Sequence, residues 1–145
     1  MREINQIVIH CSATKPSMDI GAEEIYEWHT REKPHGNGWS DIGYHVVIQR
    51  SGLIDIGRPF QKPGSHVRGH NDASIGICLV GGISESGASE DNFTHEQYAS
   101  LIYTKGWMDR VWPDAEWLGH RDFPGVKKDC PCFDVKDWIA AEKVL

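Results

Sequence analysis

The sequence lacks any apolar run long enough to cross a membrane. A membrane-spanning helix needs roughly 18 or more apolar residues in succession, and no stretch of the 145 residues approaches that length. The first residues, MREINQIVIHC, also lack the apolar segment of a secretory signal peptide. We therefore expect a protein that is made in a cytoplasm and does not insert into a membrane.

Positive charge is also scarce, because 15 Lys and Arg residues face 21 Asp and Glu residues, for a net charge of -6. General nucleic-acid binding depends on basic surface that neutralises phosphates, so we expect no nucleic-acid partner. The chain has only four cysteines. In a protein that is not exported, these indicate thiols or metal ligands rather than disulfides. No pair of acidic residues has a context that would indicate a two-carboxylate glycosidase.

Internal repeats, low-complexity runs and linkers are absent as well. A chain of this length buries roughly 70% of its unfolded surface in a single core. Its hydrophobic content of 39% and aromatic content of 10% are typical of a folded globular protein. The sequence therefore predicts one domain over residues 1–145.

Hydrophobic periodicity predicts strands and helices in irregular alternation. The predicted strands are 6–10, 44–49, 53–56, 74–80 and 116–120, and the predicted helices are 20–32, 95–110 and 135–143, with Asp19, Thr94 and Asp134 as their N-caps. A two-residue turn at Ser51 and Gly52 is predicted to join the second and third strands as a hairpin. This pattern predicts an α/β fold, with a central mixed β-sheet flanked by about three helices.

Potential metal ligands are concentrated in residues 119–133, GHRDFPGVKKDCPCF. We expect His120 and Cys130 to bind a metal ion and Lys128 to act beside it. A segment this short does not close a site alone, and His10 at the end of the first strand is the candidate third ligand, although an isolated histidine there would indicate core packing. Catalytic zinc takes three protein ligands and leaves one position for water. Cys132 remains an alternative to Cys130 as the sulfur ligand.

Four blocks of the sequence carry a family resemblance: IVIHCSATKPS around His10, GYHVVIQRSG around Tyr44, HVRGHNDASIGI from His66, and GHRD followed by KKDCPCF. Together they resemble the small bacteriophage lysozymes that are zinc-dependent N-acetylmuramoyl-L-alanine amidases. Bacterial amidases and animal peptidoglycan recognition proteins are relatives of this family. The resemblance covers nearly the whole chain, and the blocks occur in the order found in the family.

The resemblance implies that His10, His120 and Cys130 bind Zn²⁺, with Tyr44 and Lys128 at the catalytic positions. It favours Cys130 over Cys132, because many relatives carry Asp followed by Pro at this point and Cys130 precedes a proline. The implied substrate is peptidoglycan. The bond cut is the amide between the lactyl group of N-acetylmuramic acid and L-alanine of the stem peptide.

The segment 62–70 has local positive character and is predicted to line the substrate groove. We expect His66 and Arg68 of this segment, together with Asn71, to bind substrate, with the carboxylates of the stem peptide as the targets. The alternative interpretation is a solvated loop.

Two other function classes remain open: a recognition module that binds the cell wall without cutting it, and a structural zinc or thiol-redox domain built on Cys130 and Cys132.

As an amidase, the protein would be a phage or prophage endolysin. It would be made in the host cytoplasm and act on the cell wall after a membrane breach, although muropeptide recycling fits nearly as well.

Some phage relatives bind the phage RNA polymerase through residues that include an N-terminal extension. Here the first strand begins about five residues into the chain, which weakens the prediction of that partner. We expect a monomer.

Overall fold

The computed structural model describes residues 2–144, which form one α/β domain with a five-stranded mixed sheet. The strands are β1 (Gln6–Cys11), β2 (Val46–Ile48), β3 (Ile54–Ile56), β4 (Ser74–Leu79) and β5 (Glu116–Gly119). The helices are α1 (Ala22–Thr30), α2 (His95–Val111) and α3 (Val135–Val144), and one 3₁₀ turn covers His120–Asp122. The predicted fold class is confirmed. Within the described residues, no helix combines the length and the apolar character that crossing a membrane requires.

The strand order is β3-β2-β4-β1-β5. β1 runs parallel to both of its neighbours, β4 and β5, β2 is parallel to β4, and only β3 is antiparallel to its neighbour. Ile9 pairs with Gly119 in this register. Because parallel strands end at the same edge of the sheet, the residues that follow Ile9 and Gly119 come out side by side.

The sheet is covered on both faces, as expected for a mainly parallel sheet. One face presents Ile7, Ile9 and Ile77 to side chains of α2 and α3. Since side chains alternate along a strand, Val8 and Cys78 lie on the other face. That second face packs against α1 and against the irregular segment between β3 and β4.

Helix α2 begins as predicted, with a capping box between Thr94 and Gln97. The rings of Phe93 and Tyr98 lie 6.2 Å apart across this end of the helix, as a hydrophobic staple requires. The fully buried Gln97 also donates from Nε2 to the carbonyls of Ile48 (3.1 Å) and Val80 (2.8 Å). One side chain therefore ties the helix to β2 and β4.

Helix α1 differs from the prediction, because it begins at Ala22 with Gly21, not Asp19, at the N-cap. The amide of Ala22 donates to the carboxylate of Asp55 (2.9 Å), which comes from β3. The helix ends at Thr30, and Trp28 is 38% exposed whereas Ile25 is buried. The carboxylate of Asp55, from another part of the chain, thus takes the capping role that was predicted for Asp19.

The hairpin between β2 and β3 also differs from the predicted two-residue turn. Gln49 donates its amide to the carbonyl of Leu53, which leaves Arg50, Ser51 and Gly52 as a three-residue loop. Gly52 has φ +90°, and a Cβ there would lie 2.8 Å from the carbonyl oxygen of Glu96. Glycine is required at this position by both the left-handed backbone and the contact with α2.

We expect Gln97→Met to lower the free energy of unfolding by about 2 kcal/mol, because methionine keeps the volume but removes buried hydrogen bonds. Urea denaturation measures the change. Gln61→Met is the matched control, since Gln61 is exposed, and its change should stay below about 0.5 kcal/mol. Equal changes in the two variants would show that the buried amide does not tie α2 to the sheet.

Candidate metal centre

His10, His120 and Cys130 converge at one edge of the sheet, and one ligand atom from each lies within 4.8 Å of the other two. His10 occupies the end of β1 and is 1% exposed. His120 begins the 3₁₀ turn directly after β5, so it lies outside the strand predicted to contain it. Their rings lie 4.6 Å apart. The pairing of Ile9 with Gly119 accounts for this closeness.

Backbone hydrogen bonds hold Cys130 in place. Its Sγ accepts from the amide of Cys11 (3.1 Å), and its carbonyl accepts from the amide of Arg121 (2.8 Å). The thiol of Cys132 instead donates to the carbonyl of Gly82 (3.3 Å). The structure therefore brings Cys130, rather than Cys132, to the two histidines.

The environment keeps both histidines uncharged at neutral pH. Burial lowers the pKa of His10 well below its usual value, with further lowering from His66, His120 and Lys128. Burial also lowers the pKa of His120, and the Lys128 ammonium adds to this effect. A neutral imidazole has a free lone pair, which is the form that binds a metal ion.

Tyr44 and Lys128 line a cavity of about 270 Å³ together with the three clustered residues. The ring of Tyr44 lies 5.2 Å from that of His10. Burial is the main cause that raises the pKa of Tyr44, with smaller effects from nearby cysteines, so its hydroxyl is protonated at neutral pH. Lys128 is exposed on the cavity wall.

The three residues predicted to bind substrate occupy different positions. His66 is buried against His10, with 2.9 Å between His66 Nδ1 and His10 Nε2. The side-chain oxygen of Asn71 accepts from the amides of His66 and Val67 (2.9 and 3.0 Å). Arg68 is exposed. Substrate contact by these residues stays a prediction.

Two aromatic residues that the sequence did not single out for the site also line the cavity, His29 and Trp39. Their rings lie 4.7 Å apart, and His29 Nδ1 accepts from the amide of Gly43 (2.9 Å). The signal that could have found the pair is the aromatic and histidine density between positions 28 and 44.

The donor set fits a transition-metal ion. Two imidazole nitrogens and one thiol sulfur are typical ligands of such ions. In a tetrahedral zinc site with bonds of about 2.0 to 2.3 Å, two ligand atoms lie roughly 3.3 to 3.6 Å apart. Side-chain movements of about 1 Å would therefore bring all three atoms to one ion.

Comparison with known sequences shows the family to which the chain belongs. The family described as N-acetylmuramoyl-L-alanine amidase matches residues 1–133. The chain belongs to this amidase family. The matched region ends just after Cys130 and Cys132, so it includes every residue of the cluster and the cavity, whereas α3 lies outside it.

Individual relatives cover the chain almost completely. The endolysin of Enterobacteria phage K11 is 41% identical over 144 residues, which is 99% of this chain and 91% of that protein. The endolysin of Escherichia phage T7 is 42% identical over 132 residues, which is 91% of this chain and 83% of that protein. Among solved structures, the N-acetylmuramoyl-L-alanine amidase LysC from Clostridium intestinale superimposes with a TM-score of 0.79 at 28% identity, covering 99% of this chain and 87% of that chain.

We expect Lys128→Ala to raise the pKa of His120 in the metal-free protein. Removing the ammonium removes a charge that disfavours the imidazolium, so the pKa moves up toward 6.5 but stays below it, because burial remains. An NMR pH titration of the His120 ring measures the shift. Lys127→Ala is the control and should leave this pKa unchanged. The electrostatic account fails if the two variants titrate alike.

Proposed function

We propose that this chain is a zinc-dependent peptidoglycan hydrolase that cuts the amide between the lactyl group of N-acetylmuramic acid and L-alanine of the stem peptide. The observation that carries the proposal is the convergence of His10, His120 and Cys130 in one cavity that Tyr44 and Lys128 also line. Membership in the amidase family supports the reaction class.

His10, His120 and Cys130 would hold the zinc ion. When bound, zinc polarises the amide carbonyl and lowers the pKa of its water toward neutrality. Two neutral imidazoles and one thiolate would leave the site with a net charge near +1. The amide of Cys11 already donates to Cys130 Sγ, and this contact holds the sulfur at the end of β1.

Lys128 would stabilise the negative charge that develops on the carbonyl oxygen during attack. Its side chain lines the cavity, and it lies two positions before Cys130 in the chain. An ammonium fixed at this point acts on the transition state more than on the neutral amide, which is the requirement for catalysis.

Tyr44 would act on the attacking water or on the leaving amine. Its ring packs between those of His10 and His29, at 5.2 and 5.6 Å. This contact restricts the ring, so the hydroxyl has a defined position in the cavity. From there it orients the water or passes a proton to the amine.

Substrate recognition would involve the segment after β3, with His66, Arg68 and Asn71. Arg68 is the exposed cation of the three. A guanidinium binds a carboxylate through two parallel hydrogen bonds, which suits it to the acidic groups of a stem peptide.

The biological role that fits best is that of an endolysin, with residues 1–145 as one zinc amidase domain. The relatives from phages K11 and T7 carry that name, and this chain spans 91% and 83% of their lengths. Such a protein would be made in the host cytoplasm and would reach the wall after a membrane breach. The complete set of three donors favours catalysis over a module that only binds the wall.

Digestion of purified peptidoglycan tests the proposal. We expect new free amino groups on L-alanine, identified by mass spectrometry, and we expect them to disappear with a zinc chelator and return on adding zinc. The reason is that the amide is cut only when the site is loaded. New reducing sugar ends would contradict the bond assignment, as would an absence of cleavage.

Two lysine variants provide the control for this digestion. Lys128→Ala should lower the rate by about 100-fold, as expected for the loss of one group that stabilises the oxyanion. Lys127→Ala removes the neighbouring exposed lysine and should cut at a rate close to the parental one. Equal rates in the two variants would remove Lys128 from the mechanism.

A further inference from the structure

The ring of His66 forms the only side-chain hydrogen bond of His10 within the described part of the chain. The nitrogens His10 Nε2 and His66 Nδ1 are 2.9 Å apart, and both rings are buried, with 1% and 8% exposure. On its other side, His66 Nε2 lies 3.2 Å from the hydroxyl oxygen of Ser74. Each hydrogen bond in this series, from Ser74 through His66 to His10, contains one proton. The direction of one hydrogen bond therefore determines the direction of the others.

Ser74 determines the direction. Its hydroxyl donates to the carbonyl of His70 (2.7 Å), and a carbonyl only accepts. The single hydroxyl proton is then committed, so Ser74 Oγ accepts from His66 and the proton of His66 is on Nε2. In a neutral imidazole one nitrogen carries the proton and the other accepts, so this assignment leaves His66 Nδ1 as an acceptor.

The position of the His66 proton determines the tautomer of His10. With its proton on Nε2, His66 accepts at Nδ1, and His10 must donate from Nε2. His10 Nδ1 therefore carries the lone pair. No hydrogen bond to this nitrogen is formed within residues 2–144, and His10 is one of the three clustered residues.

We infer that His66 is a positioning residue, which through Ser74 holds His10 in the tautomer whose Nδ1 faces the metal ion. This inference rests on the proposed function, because it concerns the zinc site. The partner that accepts from the other nitrogen of a histidine ligand sets both the tautomer and the ring orientation. In most metal sites that partner is a carboxylate, carbonyl or water, and here it is a second imidazole.

The surrounding chain is shaped to hold the His66 ring on the sheet. A Cβ at Gly76 would lie 2.6 Å from Cγ of His66, and a Cβ at Gly64 would lie 2.7 Å from its Cδ2. The side-chain oxygen of Asn71 holds the backbone here, because it accepts from the amides of His66 and Val67. Side chains at either glycine would occupy the space of the ring, so the position of His66 depends on these residues.

The first test measures the tautomer directly in the parental, metal-free protein, and it needs no variant. Long-range ¹H–¹⁵N NMR correlations of the histidine rings distinguish a protonated Nε2 from a protonated Nδ1. We expect protons on Nε2 of both His10 and His66. A proton on Nδ1 of His10 would overturn the inference.

The second test measures zinc affinity by competition with a chromophoric chelator. His66→Ala should weaken binding by about 10 to 100-fold, the usual effect of losing a partner of a metal ligand. His66→Asn should recover most of the affinity, because its amide oxygen can accept from His10. His70→Ala is the control, since the exposed His70 ring packs on Phe123 instead, and it should bind zinc like the parental protein.

These outcomes separate the inference from the proposed function. Unchanged zinc affinity in a folded His66→Ala variant would overturn the positioning role and leave the amidase proposal intact. A parental protein that binds no zinc would overturn the zinc site, while the tautomer measurement would still decide whether His66 orients His10. If His66→Ala does not fold, Gly76→Ala displaces the ring without changing it, and the same loss of affinity is expected.

Discussion

The parallel pairing of β1 with β5 is the constraint on which the site depends. Ile9 lies beside Gly119, so the next residues, His10 and His120, leave the sheet at the same edge. The pairing is maintained by the core on the face of the sheet opposite His10, where Ile7 and Ile9 are fully buried under α2 and α3. Burial of each such side chain contributes about 1.5 to 3 kcal/mol. The hydrophobic core thereby fixes the spacing of the two candidate ligands, His10 and His120.

The third candidate ligand, Cys130, depends on the same edge in a different way, because it lies on no strand. Its sulfur accepts from the amide of Cys11, the residue next to His10, and its carbonyl accepts from the amide next to His120. Cys130 is thus held by hydrogen bonds to Cys11 and Arg121, the residues that follow the two histidines. A shift of β1 against β5 would move all three donors, which links the stability of the sheet to metal binding.

Local signals in the sequence were sufficient for the elements whose contacts are local. The capping box of α2 and the Asp134 cap of α3 lie within three residues of their partners, and both are confirmed. The start of α1 could not be predicted, because its acceptor Asp55 comes from β3. The prediction of a two-residue hairpin turn was wrong for the same reason, because it also involves a distant contact: Gly52 packs on α2.

The residues of the candidate site also differ in how far the sequence could predict them. The density of donors in residues 119–133 indicated His120 and Cys130, and the place of His10 at the end of a strand, together with the family blocks, indicated the third candidate ligand. For His66 the sequence predicted substrate contact, and the hydrogen bond of its ring to His10 could not be predicted. It depends on a ring that lies over Gly76 and bridges β1 to Ser74 on β4, a relation that only the sheet register establishes.

Zinc-edge X-ray absorption of the protein loaded with one equivalent of zinc tests the ligand set most directly. The account predicts two nitrogen ligands at about 2.0 to 2.1 Å and a single sulfur at about 2.3 Å, with a light atom completing the shell. Two sulfurs would show that Cys132 joins Cys130. A shell without sulfur would contradict the central claim that His10, His120 and Cys130 form the metal site.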